Sequence, residues 1–262
     1  MTDQAAEWIP LFPEEEVPFI LASVLRSGAR LKKLHSTELE NDLSDRLRDL
    51  LDREPTFRDR PVEIFREVPL YDRRRSRQRQ VGRTDLMFVY STGVSKPWPY
   101  FVIETKRLHV AFPSGWQSLV SEYVTGHQGM MCFIEGRYSS GLASGGMLGY
   151  VFDGAVEKAR LAVSASIEAN QTRLRCGPAP RFGPSSLLTG RTRVSESRHS
   201  LSGGVFQHLS LVPARVGRPR MLDSSPQVGQ HPAALDRHVA EKRPSRRSEP
   251  TAGPRKSLCG RS

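Results

Sequence analysis

The sequence predicts an α/β domain in which a central mixed sheet is covered by helices on both faces, followed by a basic, disordered tail. Three observations predict it. The segments around residues 85 to 90 and 99 to 104 are apolar on both strand faces, which requires cover on both sides. Stretches with helical apolar spacing stand before and after them. From about Ala214 the chain turns to Pro, Gly, Ser, Arg and His with almost no aromatic or β-branched run, too little apolar surface to offset the entropy of folding. Charge divides the same way: residues 1–160 carry 22 basic and 22 acidic side chains, residues 161–262 carry 17 and 6, so the net +11 resides in the C-terminal part. The expected organisation is a helical segment over 1–35, an α/β domain over 36–213 and a tail over 214–262.

In chain order, Val17, Ile20, Leu21, Val24, Leu25, Leu31 and Leu34 predict a helix broken near Gly28. Thr37 and Glu40 have capping-box spacing before a second helix, whose apolar face is Leu39, Leu43, Leu47, Leu50 and Leu51 and which Pro55 ends. Strands are expected over 62–71, 82–90 and 99–108, the last two joined by the turn-forming STGVSKPW. Ser114 and Gly115 are expected to open a helical stretch through Val120, Tyr123 and Val124, with MMCFIEGRY continuing or restarting it. A strand over 145–153, a helix over 155–169 and a weaker strand over 204–213 complete the domain.

Cys132, Cys176 and Cys259 show no CxxC spacing, which argues against a zinc ribbon or a disulfide framework. The acidic start MTDQAAEWIPLFPEEE has no basic n-region followed by an apolar run, and no stretch approaches 18 apolar residues. A cytoplasmic protein with no membrane association is the expectation. His127, His199 and His208 fit no zinc spacing and read as ordinary surface or core residues.

The chemistry centres on YFVIETKRL, where an apolar strand runs directly into Glu104 and Lys106. Charges at the inner end of such a strand are costly unless paired, metal-bound or functional. Alternation puts Glu104 and Lys106 on one face. If the strands at 82–90 and 99–107 form a hairpin symmetric about the 91–98 loop, Asp85 lies opposite Glu104, with Cβ atoms roughly 5 Å apart. Two such carboxylates repel unless a cation lies between them. Mg²⁺, with Mn²⁺ as a substitute, suits hard oxygen ligands, and the Thr105 carbonyl would be a further ligand. Lys106 would orient or help deprotonate an attacking water and neutralise charge on a phosphorane-like transition state. The plain alternative is a structural ion pair across two strands.

Asp85, eighteen intervening residues and then Glu104-Thr105-Lys106, with a glutamate on a preceding helix, resembles the PD-(D/E)XK nuclease superfamily. The resemblance covers roughly residues 36–153 and implies a restriction-endonuclease-like fold and metal-dependent hydrolysis of DNA. Its first acid carries onto Asp85, its second onto Glu104, its lysine onto Lys106, and the helical glutamate of many members onto Glu40 rather than Glu38, which should face the polar side. Thr84 stands where the family name has proline, and Gln117 and Tyr123 do not match the Gln-x-x-x-Tyr spacing of some members. The implied function is a Mg²⁺-dependent deoxyribonuclease, endonuclease before exonuclease, in defence or DNA processing; the alternative is an inactive nucleic-acid-binding or protein-interaction module on the same fold. In RRRSRQRQVGR, Arg77, Arg79 and above all Arg83, which shares the parity of Asp85, are the expected phosphate contacts. A protein partner or a homodimer is compatible with this reading.

Overall fold

The apolar runs at residues 86–90 and 100–103 leave two apolar sheet faces, and the chain covers each with its own set of helices. The computed structural model describes residues 12–35, 38–72, 79–91, 99–112, 114–138, 143–178, 181–191, 193–201 and 204–211, all within a unit spanning Met1–Arg220. The expected tail and Arg77 lie outside the described residues, as does the side chain of Arg79.

The helices are α1 (Glu16–Arg30), α2 (Glu40–Asp52), α3 (Pro55–Arg58), α4 (Val120–Val124), α5 (Met131–Ile134) and α6 (Val156–Ala169). The strands are β1 (Val62–Asp72), β2 (Arg79–Tyr90), β3 (Tyr100–Phe112), β4 (Gly115–Ser118), β5 (Ser144–Val151), β6 (Gly183–Pro184), β7 (Val194–Leu201) and β8 (Gly204–Leu211). They form one mixed sheet in the order β1-β2-β3-β5-β8-β7-β6, with β4 paired on β3. The β3–β5 and β5–β8 pairs are parallel and the rest antiparallel.

One face packs Leu86 and Phe88 of β2 and Phe101 and Ile103 of β3 against Val17, Ile20, Leu21 and Val24 of α1, Leu43, Leu47 and Leu51 of α2, and Phe57 of α3. The segment before residue 36 thus shares its core with the strands. The opposite face packs Met87, Val89 and Val102 against Val124 of α4, Phe133 of α5, and Val163 and Ile167 of α6. Each fully buried side chain of this size contributes about 1.5–3 kcal/mol.

Several expectations are corrected. Helix α1 runs unbroken through a buried Gly28 to Arg30, because burial of Val24 and its neighbours outweighs the modest helix penalty of one glycine. Helix α2 begins at Glu40 with Leu39 as its cap residue, so Glu40 is the first helical residue and not the third; Thr37, the other half of the expected capping box, lies outside the described residues. Leu39 is 59% exposed, off the apolar face. Gly115 opens strand β4, not a helix: φ of +114° turns the chain back so that Trp116, Gln117 and Ser118 pair with Ala111, Val110 and His109. The helical part begins only at Val120, and α5 is a separate single turn. Among the described residues no helix is long and apolar enough to cross a membrane.

Candidate active site

The β2–β3 ladder runs from Val89↔Tyr100 to Leu86↔Ile103, the register expected for a hairpin symmetric about the 91–98 loop. It stops one pair short of Asp85 and Glu104. In place of a backbone partner, Thr105 gives its N–H to Asp85 Oδ2 at 2.7 Å and its hydroxyl to the same oxygen at 2.8 Å. The aspartate side chain therefore closes the ladder where the strands part. Across the sheet, Glu67 of β1 has a φ of +50°, strained for a residue with a Cβ. It sits between the pairs Arg66↔Leu86 and Val68↔Thr84, level with Asp85.

Into the opening between β2 and β3 the chain directs one ammonium and three carboxylates. Lys106 Nζ lies 2.7 Å from the Thr105 carbonyl oxygen, 3.0 Å from Glu40 Oε1, 3.2 Å from Glu104 Oε1 and 3.9 Å from Asp85 Oδ2. The side chains are little exposed: 2% for Glu104, 11% for Lys106, 15% for Asp85 and 22% for Glu40. Glu40 reaches the site because it begins α2, and its Oε2 accepts the Arg107 N–H at 3.0 Å. The helix start does not push its carboxylate into a cap; it points it at β3. Asp85, Glu104, Lys106 and Glu40, the four side chains singled out in the sequence, thus meet around one point.

The electrostatics of that point are unbalanced. Burial, and after it the charge of Asp85, hold the Glu104 carboxyl well above its ordinary value. Burial also raises Glu40, against the lowering effect of Lys106. For Lys106 burial disfavours the charge, but Glu104, Glu40 and Asp85 together outweigh it and hold the ammonium above the usual lysine range. One ammonium serves three carboxyl groups, so the lysine is more than satisfied and Glu104 is not. Glu104 Oε2 is buried and has no hydrogen-bond partner among the described residues. Among the described residues no group of three or more His, Cys, Asp or Glu forms a metal cage; what converges is carboxylate and carbonyl oxygen, with the Lys106 ammonium among them.

Glu38 is corrected. It is 1% exposed rather than on a polar face, takes the Leu34 N–H at 2.8 Å and pairs with Arg46. Its pairing within the α1–α2 corner, not exposure, keeps it from Lys106. Arg83 is 55% exposed and its guanidinium pairs with Glu67 at 3.0 Å. Arg79 belongs to β2 by its backbone alone, through the pair with Asp72. Gln117 is exposed on β4, and Tyr123 is buried with its hydroxyl on Ser210 Oγ at 2.9 Å.

The sequence reading missed Ser44 and Tyr150. Ser44 Oγ lies 3.0 Å from Thr105 Oγ1 and 3.1 Å from Tyr150 Oη, all buried. A polar residue at the fourth position after Glu40, inside the Leu43–Leu47 stripe, was the available signal for Ser44. His199 and His208 lie in β7 and β8 and are core residues, 0% exposed.

No protein-family model, curated protein or solved structure matches the chain. The site's geometry and chemistry therefore carry the functional argument.

Proposed function

We propose that the chain is a metal-dependent nuclease of restriction-endonuclease-like fold that hydrolyses phosphodiester bonds of DNA. The observation that carries the reading is the convergence of Asp85, Glu104 and the Thr105 carbonyl, with Lys106 Nζ within 3.9 Å of each, where two central strands part. The element order α2-α3-β1-β2-β3-β4-α4-α5-β5 supports the same fold.

The residues fit a hard divalent cation. The available donors are all oxygens, as Mg²⁺ or Mn²⁺ prefers, and Glu104 Oε2, buried and without a partner among the described residues, is an oxygen that such an ion would take. Asp85, Glu104 and the Thr105 carbonyl would hold the ion. When bound it would supply Lewis-acid polarisation of a phosphoryl oxygen and a water of lowered pKa. Because Lys106 Nζ now rests on these oxygens, its four-carbon stem has to swing the ammonium aside, toward the attacking water and the charge that develops on phosphorus. Glu40, which holds that ammonium at 3.0 Å, keeps it near the new position. Arg83, exposed at the strand that carries Asp85, is placed to exchange Glu67 for a phosphate.

The test is cleavage of supercoiled plasmid by the purified chain with Mg²⁺ or Mn²⁺ and with EDTA. Cleavage that needs the metal and is lost in Lys106→Ala supports the reading; a wild type without cleavage, or a variant as active as the wild type, overturns it. The way Lys106 already occupies the carboxylates favours one second reading, an inactive nucleic-acid-binding module in which the lysine is a permanent counterion. Calorimetry showing no Mg²⁺ or Mn²⁺ binding, with DNA affinity indifferent to EDTA, would select it.

A further inference from the structure

A buried row of hydroxyls reaches Asp85 from the far side of the site, and its hydrogen bonds can run in one direction only. An ionised carboxylate accepts and cannot donate, so the Thr105 hydroxyl spends its single proton on Asp85 Oδ2. Thr105 Oγ1 must then receive the bond it shares with Ser44 Oγ at 3.0 Å. Ser44, having given its proton to Thr105, must in turn receive from Tyr150 Oη at 3.1 Å. Ser44 Oγ also lies 2.9 Å from the Glu40 carbonyl oxygen, four residues back in the helix. That oxygen has the helical N–H as its own donor. A serine proton sent there would leave two hydroxyl oxygens facing each other lone pair to lone pair.

We propose that Tyr150 and Ser44 are positioning residues that aim Asp85, through Thr105, at the point where the carboxylates converge. The row joins β5, α2, β3 and β2, four elements distant in sequence, and it passes through the helix that bears Glu40. Ser44 and Tyr150 are 0% exposed. Burial strengthens each bond of such a chain and makes each member costly to leave unpaired. Tyr150 heads the row as a donor that burial keeps protonated. Outer partners of this kind fix the orientation of metal-binding carboxylates, and their loss weakens metal affinity about 10–100-fold.

This role rests on the proposed metal-dependent activity, and the experiment separates the two. Mn²⁺ affinity of the full chain is measured by electron paramagnetic resonance for the wild type, Ser44→Ala, Tyr150→Phe and the double variant, with the melting temperature of each recorded in EDTA. Each single variant is expected to bind Mn²⁺ about tenfold more weakly, and the double variant no more weakly than the worse single one, because one missing link breaks a serial chain. The metal concentration for half-maximal cleavage should rise while the rate at saturating metal is kept. Unchanged Mn²⁺ affinity in both singles, or losses that multiply in the double variant, would overturn the positioning role while leaving the nuclease reading intact. A wild type that binds no Mn²⁺ overturns both. If Ser44→Ala does not fold, Tyr150→Phe, which removes one oxygen and keeps the ring, decides alone.

Discussion

Two groups of polar side chains are buried in the same sheet, one where β2 and β3 part and one between β7 and β8. Around Lys106 three carboxylates compete for one ammonium, and a carboxylate oxygen of Glu104 is left over. Around His199 the groups are neutral. His199 Nδ1 lies 2.7 Å from the Leu174 carbonyl and Nε2 2.8 Å from Ser197 Oγ. His208 touches Phe133 and His199 by ring edges, with both nitrogens buried and without a partner among the described residues. Burial disfavours the charged imidazole in both, and His199 adds to this at His208. Burial of polar atoms alone therefore does not mark a functional site. What distinguishes the first cluster is uncompensated charge converging from several elements, an arrangement that costs stability and is expected where chemistry requires it.

The sharpest way to break this contrast is at Lys106. Lys106→Ala is expected to lower the cleavage rate by a factor on the order of 10²–10⁴. It also leaves Glu104 and Glu40 without their ammonium, and removing one partner of a buried pair costs about 3–5 kcal/mol. The variant should therefore melt well below the wild type in EDTA and recover with Mg²⁺ or Mn²⁺, whose affinity should rise because the competing ammonium is gone. His208→Leu should leave cleavage untouched. A Lys106→Ala variant indifferent to Mg²⁺ in thermal melts would place the two clusters in the same structural class.

Glu104 sharpens the comparison from the other side. Its folded-state pKa is raised, so its ionised form opposes folding, increasingly as pH rises above the ordinary carboxylate value. Glu104→Gln removes that charge in nearly the same volume. In EDTA at neutral pH it is expected to raise the stability of the chain, seen as a higher urea midpoint, while Mn²⁺ binding and cleavage are lost. Urea unfolding with and without metal reads both effects. A destabilised Glu104→Gln would mean that the Lys106 contact at 3.2 Å outweighs the burial cost, and the site would then be a stable ion pair.

Much of the site was legible because it depends on local rules. Strand alternation, the turn-rich 91–98 segment and the spacing from Asp85 to Glu104 suffice to set the register that Leu86↔Ile103 shows. They do not reveal that the ladder ends there, since that depends on β3 turning to pair with β4 and β5. Strand β4 was read as a helix because Ser114 and Gly115 resemble a helix start, and only a positive φ makes Gly115 a hairpin residue. Strand β7 escaped notice because its inward positions Ser195, Ser197 and His199 are polar, so no apolar alternation exists to be found. Ser44 and Tyr150 are 106 residues apart. Nothing local records their contact.

The smallest effect tests the neutral cluster. Since the folded-state values of His199 and His208 lie below the ordinary 6.5, the unfolded chain binds more protons than the folded one once pH falls under that value. The contribution of the two imidazoles should then be flat above it and turn against folding below it, by at most about 1.4 kcal/mol per pH unit for each. His208→Leu removes one of the two and should lessen the loss of stability as pH falls below about 6.5, while giving up no hydrogen bond, since neither ring nitrogen has a partner among the described residues. Urea midpoints across that range measure it. An unchanged slope would show that His208 is solvated or paired when folded, and the contrast between a charged, strained cluster and a neutral, quiet one would fail at its neutral end.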